Sequence, residues 1–311
     1  MFLEKVYTGR NQWYYYVFSL LIIFLTWQLI GTLPLLLYTF HHSSLSPAEW
    51  LNEQSLQTAL NAAMQTNSGL ALSLLTFVFG LIALFWCVRY IHEKKGLDII
   101  TGRTCIDWKR IFFGAGIWGI LTLIATALQL LSIPSSELVF RFEAKDFFIL
   151  FLISLALFPL QVSFEEFLFR GYLMQWMAYL FKYRGIAVLL TGISFGLMHF
   201  ANPENQMGFW VVMPQYILMG LLLSYITVKD NGMELALGMH LSNNILAAIS
   251  VTSDTSALQT HALFKILNPT ASHWDTVIIL LAGLTFIGIC QLKFHFSGKV
   301  KLWEKISNYP G

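Results

Sequence analysis

Apolar residues arrive along this chain in long, nearly uninterrupted blocks, without the three-to-four-residue rhythm of an amphipathic surface helix. Eight blocks cover 13–38, 70–91, 111–131, 147–169, 185–201, 209–228, 233–251 and 274–292. Roughly 20 helical residues cross a hydrocarbon core of about 30 Å. In lipid, backbone polar groups must be paired within the segment, and the ten-residue alternation of a membrane barrel is missing. The pattern therefore predicts an all-α polytopic transmembrane helix bundle of about eight spans. The first block is longer than the apolar region of a secretory signal, about 7 to 15 residues, and is read as a retained span. Between the first two blocks, Ser46 as N-cap, Pro47 at the first helical position and Glu49 three residues after the cap predict a short surface helix.

The polar residues between blocks give the bundle a direction. Lys5 and Arg10 precede the first block, Arg89, Lys94, Lys95, Arg103, Lys109 and Arg110 follow the second, and Arg170, Lys182 and Arg184 follow the fourth. The loop after the first carries Glu49 and Glu53 with no Lys or Arg, and the tail carries Lys293, Lys299, Lys301 and Lys305. By the positive-inside rule both termini are expected in the cytoplasm. The chain divides into 1–146 (three spans and loops), 147–251 (a core of four spans) and 252–311 (an outer loop, the last span and a basic tail).

Composition agrees: 56% of residues are hydrophobic and 12% charged, against roughly a quarter charged in a soluble domain. The aromatic share of 15% suits interfacial girdles. A net charge of +2 gives no reason to expect a nucleic-acid partner. Cys87, Cys105 and Cys290 stand far apart with no C-x-x-C pair, which removes a zinc knuckle or disulfide scaffold.

Against this background a few ionisable residues stand out, because each costs about 2.5–3.5 kcal/mol to insert into a bilayer. They are Glu165, Glu166 and Arg170 in the fourth block, His199 in the fifth, and His240 with Asn243 and Asn244 in the seventh. Glu166 and Arg170 are four apart and share a helix face as an ion pair, whereas Glu165 diverges from Arg170 by about 140° and is left for chemistry. If 147–181 is one helix turning back at 182–185, Glu165 and His199 lie about 25 Å and about 23 Å above that turn, at about 1.5 Å per residue. His240 and Asn244 share a face of their own helix. Two chemistries are open: His240 and Asn244 as donors to an oxyanion, or Glu165, His199 and His240 as ligands of one zinc ion with an open position for water. The structural alternative is a charge cluster that fixes helix register. G-x-S-x-G and H-E-x-x-H are absent. Gly192 and Gly196 form a G-x-x-x-G pattern explained by close helix packing, and Pro159 and Pro214 are expected to kink their helices.

E-E-x-x-x-R (Glu165, Glu166, Arg170), F-x-x-x-H (Phe195, His199) and H-x-x-x-N (His240, Asn244) together resemble the motifs of the CPBP family, the CAAX-protease and bacteriocin-processing (Abi) intramembrane peptidases. The resemblance covers about 147–251. It implies that Glu165 and His199 activate a water for peptide hydrolysis and that His240 and Asn244 stabilise the oxyanion. Members have been described both as metalloproteases and as metal-independent glutamate peptidases, so the cofactor is either one zinc ion or none. The implied substrate is a membrane-associated protein or peptide, prenylated in the type II CAAX endopeptidases. The implied location is the plasma membrane of a bacterium, with the site toward the cytoplasmic side. Two other classes keep the polar cavity without proteolysis: a peptide-binding or bacteriocin self-immunity protein, and a proton- or ion-coupled transporter, against which the lack of repeated hydropathy halves counts.

Overall fold

The computed structural model describes residues 1–296 and 301–306; Lys299 of the predicted basic tail lies outside them. Nine principal helices form among the described residues: α1 Trp13–His42, α2 Glu53–Met64, α3 Asn67–Ile91, α4 Trp108–Ser132, α5 Ala144–Phe181, α6 Arg184–Leu197, α7 Phe209–Asp230, α8 Glu234–Ser250 and α9 His273–Phe294. Each of the eight apolar blocks is helical, and the architecture is the expected all-α membrane bundle. Six helices (α1, α3, α4, α5, α7 and α9) are long and apolar enough to cross a bilayer. The other two, α6 with 14 residues and α8 with 17, reach only about 21 Å and about 26 Å and stop short of a full crossing. In α6 the stop has a local cause. Asn205 donates its side-chain amide to the His199 and Phe200 carbonyls, at 2.8 and 2.9 Å, and Pro203 follows.

The surface helix begins later than the Ser46 signal predicts. Ser46 and Glu49 do pair, at 2.8 Å from the backbone and 2.7 Å from the hydroxyl, but they close a single turn. α2 starts at Glu53, capped by Asn52, whose side chain accepts from the Ser55 amide at 3.0 Å. A small sheet also forms that the apolar blocks give no hint of: β1 Leu138–Phe140, β2 Val251–Ser253 and β3 Phe264–Ile266, in the order β1-β3-β2. β1 pairs antiparallel and β2 parallel to β3.

The helices are held by close backbone approach on two seams. At the α6–α7 seam a Cβ added to Gly220 would lie 2.2 Å from the Gly192 carbonyl oxygen, and at the α4–α8 seam one added to Gly238 would lie 2.0 Å from the Ile111 carbonyl oxygen. These short distances are the work of small residues where lipid offers no hydrophobic drive between helices. Large apolar side chains along α1, α4, α5 and α9 remain exposed, as lipid-facing surfaces must.

The basic segments gather at one end. Lys5 pairs with Asp98 at 3.1 Å, Arg184 pairs with Glu4, and the Phe2 amide donates to Asn231 at 2.6 Å. Residues 301–306 reach the same place, the Ile306 amide donating to the Lys182 carbonyl at 2.7 Å. Arg103 and Arg110 bind Asp230, and Arg103 also binds Glu234 at 2.9 Å, fixing the turn between α7 and α8. His92 is buried at this end. Its Nδ1 donates to the Arg10 carbonyl at 2.8 Å, which leaves Nε2 to accept from the Tyr172 hydroxyl at 2.6 Å.

Two measurements test this packing. Gly220→Ala puts a methyl group against the Gly192 carbonyl and should lower stability by ~2 kcal/mol, read as a lower melting midpoint in detergent. Burial pushes His92 from 6.5 down to about 4, so the unfolded chain binds more protons between those values and His92's contribution is lost as pH falls through them. The melting difference between the parent and His92→Gln should therefore shrink from pH 7 to pH 4. A constant difference would contradict the assignment.

Candidate active site

α5 brings Glu165, Glu166 and Arg170 to the middle of the bundle, and a widened π-helical turn over Phe167–Leu173 follows the two glutamates directly. Such turns interrupt α-helices mostly at functional positions. α8 delivers His240, Asn243 and Asn244, and the turn after α6 delivers His199.

The two adjacent glutamates part company. Glu166 is fully buried, as is Arg170, and its Oε1 receives the Arg170 Nη1 at 2.9 Å. The same oxygen also receives the His240 Nδ1 at 2.8 Å, a role that helix spacing did not reveal. Arg170 spends its Nη2 on the Gly220 carbonyl of α7 at 3.2 Å and lies over the Phe195 ring of α6, 4.1 Å from its centroid. Four helices thus meet on one ion pair.

Glu165 is partly accessible. Its Oε2 stands 3.4 Å from His240 Nε2, and its Oε1 accepts from the Gln161 side chain at 3.0 Å. His240 therefore sits between two carboxylates. Each contact needs a hydrogen, and a neutral imidazole carries only one. A second ring proton is needed for both contacts to be hydrogen bonds.

Gln161 was missed among the site residues, although a glutamine one turn before Glu165 in an apolar span is the type of signal that could have found it. It also accepts from the Asn244 side chain at 3.3 Å, so Asn244 reaches Glu165 only through Gln161. Asn243 donates to Asn244 at 3.4 Å and accepts from the Trp118 indole at 3.2 Å.

His199 stands apart. Its Nδ1 accepts from the Asn202 side chain at 3.1 Å, and its ring stacks on Tyr216 with centroids 4.2 Å apart. Asn202 donates to the Tyr216 hydroxyl as well, at 3.2 Å. No hydrogen bond or ion pair joins His199 to Glu165 or His240 among the described residues. The Phe195 ring lies between the histidines, 5.4 Å from His199 and 5.6 Å from His240. Asn202 and Tyr216 are loop and helix residues with no motif spacing to flag them.

The zinc alternative fits this arrangement poorly. Both His240 nitrogens face carboxylates. Among the described residues, the three-residue set whose donor atoms lie within 4.8 Å of one another is Glu143, Asp146 and His261, which does not include Glu165, His199 or His240.

If Glu166 is the structural carboxylate, Glu166→Gln leaves Arg170 buried without its counter-ion and should cost ~3–5 kcal/mol, whereas Glu165→Gln should leave the melting midpoint in detergent near that of the parent. Equal losses would remove the distinction between the two residues.

Comparison with known proteins gives the chain its relatives. The family profile described as "Type II CAAX prenyl endopeptidase Rce1-like" matches residues 146–246. The chain is 31% identical over 235 residues to "Uncharacterized protein YyaK" of Bacillus subtilis (strain 168), covering 75% of this chain and 77% of that protein. No solved structure matches.

Proposed function

Because the chain belongs to the Rce1-like family of type II CAAX prenyl endopeptidases, we propose that it is an intramembrane endopeptidase in which Glu165 is the general base. The observation that carries this reading is the sorting of two neighbouring glutamates by one imidazole: Glu166 is consumed by Arg170 and His240, while Glu165 keeps a partly accessible carboxylate beside His240 Nε2.

In this mechanism Glu165, steadied by Gln161, accepts a proton from a water as its oxygen bonds to the scissile carbonyl carbon. Such proton transfer contributes roughly 10²–10⁴-fold. His240, whose Nδ1–H is held by Glu166, acts as the ring protonated on both nitrogens and turns its Nε2–H toward the reacting centre. The oxyanion takes hydrogen bonds from His240 and from Asn244, whose amide swings from Gln161 to reach it. When the C–N bond breaks, the leaving amine takes the proton held by Glu165. His199, with Nδ1 accepting from Asn202, offers its Nε2–H to the attacking water or the substrate. The substrate is a membrane-associated protein or peptide. The end bearing Lys5, Arg103 and Arg184 faces the cytoplasm under the positive-inside rule.

The test compares membrane-associated peptides from cells making the parent or Glu165→Gln, followed by hydrolysis of a responsive peptide with purified protein. Glu165→Gln should fall by at least ~10²-fold, with the parent rate unchanged by a chelator. Cleavage by Glu165→Gln at the parent rate would sink the mechanism. Loss of the parent rate on chelation, restored by zinc, would replace it with the metal-dependent one.

A further inference from the structure

A cavity of about 670 Å³ opens among α4, α7, α8 and α9 at the end that carries the small sheet, opposite the basic end. Its size is that of a ligand site. It adjoins the catalytic cluster at two points. Tyr216, which stacks on His199, lines it, and so does Asn243, which donates to Asn244.

The charge of the walls is one-sided. Glu137, Glu204 and Asp275 line the cavity, and no Lys, Arg or His does. Asp275 is occupied as a helix cap, accepting from the Ser272 amide at 2.8 Å. Glu204 accepts from the Ala257 amide through Oε1 at 2.6 Å and has the Tyr216 hydroxyl beside its carboxylate, while its Oε2 is buried with no partner within hydrogen-bond distance. An ionised carboxylate left this way is costly unless a cation meets it. Burial accordingly raises the Glu204 carboxyl above its usual range.

The walls are largely apolar but carry polar groups suited to a peptide backbone. Thr122, Thr126, Gln129, Gln215 and Asn268 present hydroxyl and amide groups that a hydrocarbon would leave unpaired. β2 is an edge strand of the sheet, and all three of its residues line the cavity. Edge strands are templates for an added extended segment.

We propose that this cavity is the substrate cleft of the catalytic cluster and holds an extended cationic peptide segment, with Glu204 selecting for a Lys or Arg side chain. The proposal rests on the peptidase reading for what happens after binding, but not for binding itself. The Glu204 carboxylate turns from its buried position toward the ammonium or guanidinium, and Glu137, also on the cavity wall, adds attraction.

The test uses the full-length protein in detergent and three fluorescein-labelled probes: an alternating Ala-Arg decapeptide, its Ala-Glu counterpart, and a neutral farnesylated peptide. Fluorescence anisotropy should show the Arg peptide binding about ten-fold or more tightly than either of the others, the gain expected of one charge-assisted hydrogen bond. Raised salt should weaken it. Glu204→Gln should lose about ten-fold for the Arg peptide alone, and Glu204→Asp should recover part of that loss, which a folding defect would not permit. Glu165→Gln should bind like the parent. Equal binding of the Arg and Glu peptides, tighter binding of the farnesylated peptide, or an unaltered Glu204→Gln would overturn the inference. Tight, Glu204-dependent binding without cleavage would uphold it while defeating the peptidase reading. Cleavage of neutral peptides without charge preference would do the reverse.

Discussion

Burying a guanidinium and a carboxylate together is tolerated only when nearly every polar atom finds a partner, because their desolvation can exceed their mutual attraction. The Glu166–Arg170 pair meets that condition in part, drawing partners from four helices while Glu166 Oε2 and Arg170 Nε are left without a hydrogen-bond partner. α5 supplies both charges, α8 supplies His240, α7 a backbone carbonyl at Gly220, and α6 the face of Phe195. Gly220 also packs against Gly192 of α6 with no room for a Cβ, so close backbone approach and the charge contact involve the same residue. The positions of the other site groups follow from this pair: His240 takes its orientation from Glu166, and Glu165 takes its neighbour from His240.

Neighbouring residues on a helix ordinarily face different surroundings, and here Glu165 and Glu166 differ in both burial and partners. Glu166 is enclosed, with its Oε1 committed to both Arg170 and His240. Glu165, one step round the helix, has Gln161 on one oxygen and a loose contact to His240 on the other. A carboxylate with a nearby imidazole and access to solvent is suited to passing a proton; one locked against an arginine is not.

Much of this was legible in the residue order, and the reasons are geometric. Apolar block length gave the all-α membrane bundle, and the four-residue interval of Glu166 and Arg170 gave their shared face. Length alone overstated α6 and α8, since the side-chain bonds from Asn205 that end α6 leave no trace in hydropathy. Helix periodicity relates residues on one helix, so it could not show that His240 would contact both glutamates or that Tyr216 would stack on His199. The shift of the surface helix from Ser46 to Asn52 reflects two competing caps six residues apart, of which the later one precedes the longer helical run. The three short strands lie outside the apolar blocks and depend on pairing between distant segments.

The phenylalanine of the F-x-x-x-H motif shows what such a conserved-looking letter can mean in one chain. Phe195 carries Arg170 on its ring and meets Phe169, His199 and His240 edge to face, at 5.4, 5.4 and 5.6 Å. A smaller apolar side chain would open a path for water to the arginine, and a tyrosine would bring a hydroxyl into a space with no vacancy described for it. The aromatic ring is therefore a spacer: it fills the volume between the two imidazoles and roofs the guanidinium, so that His199 and the Arg170–Glu166–His240 group are separated by hydrocarbon.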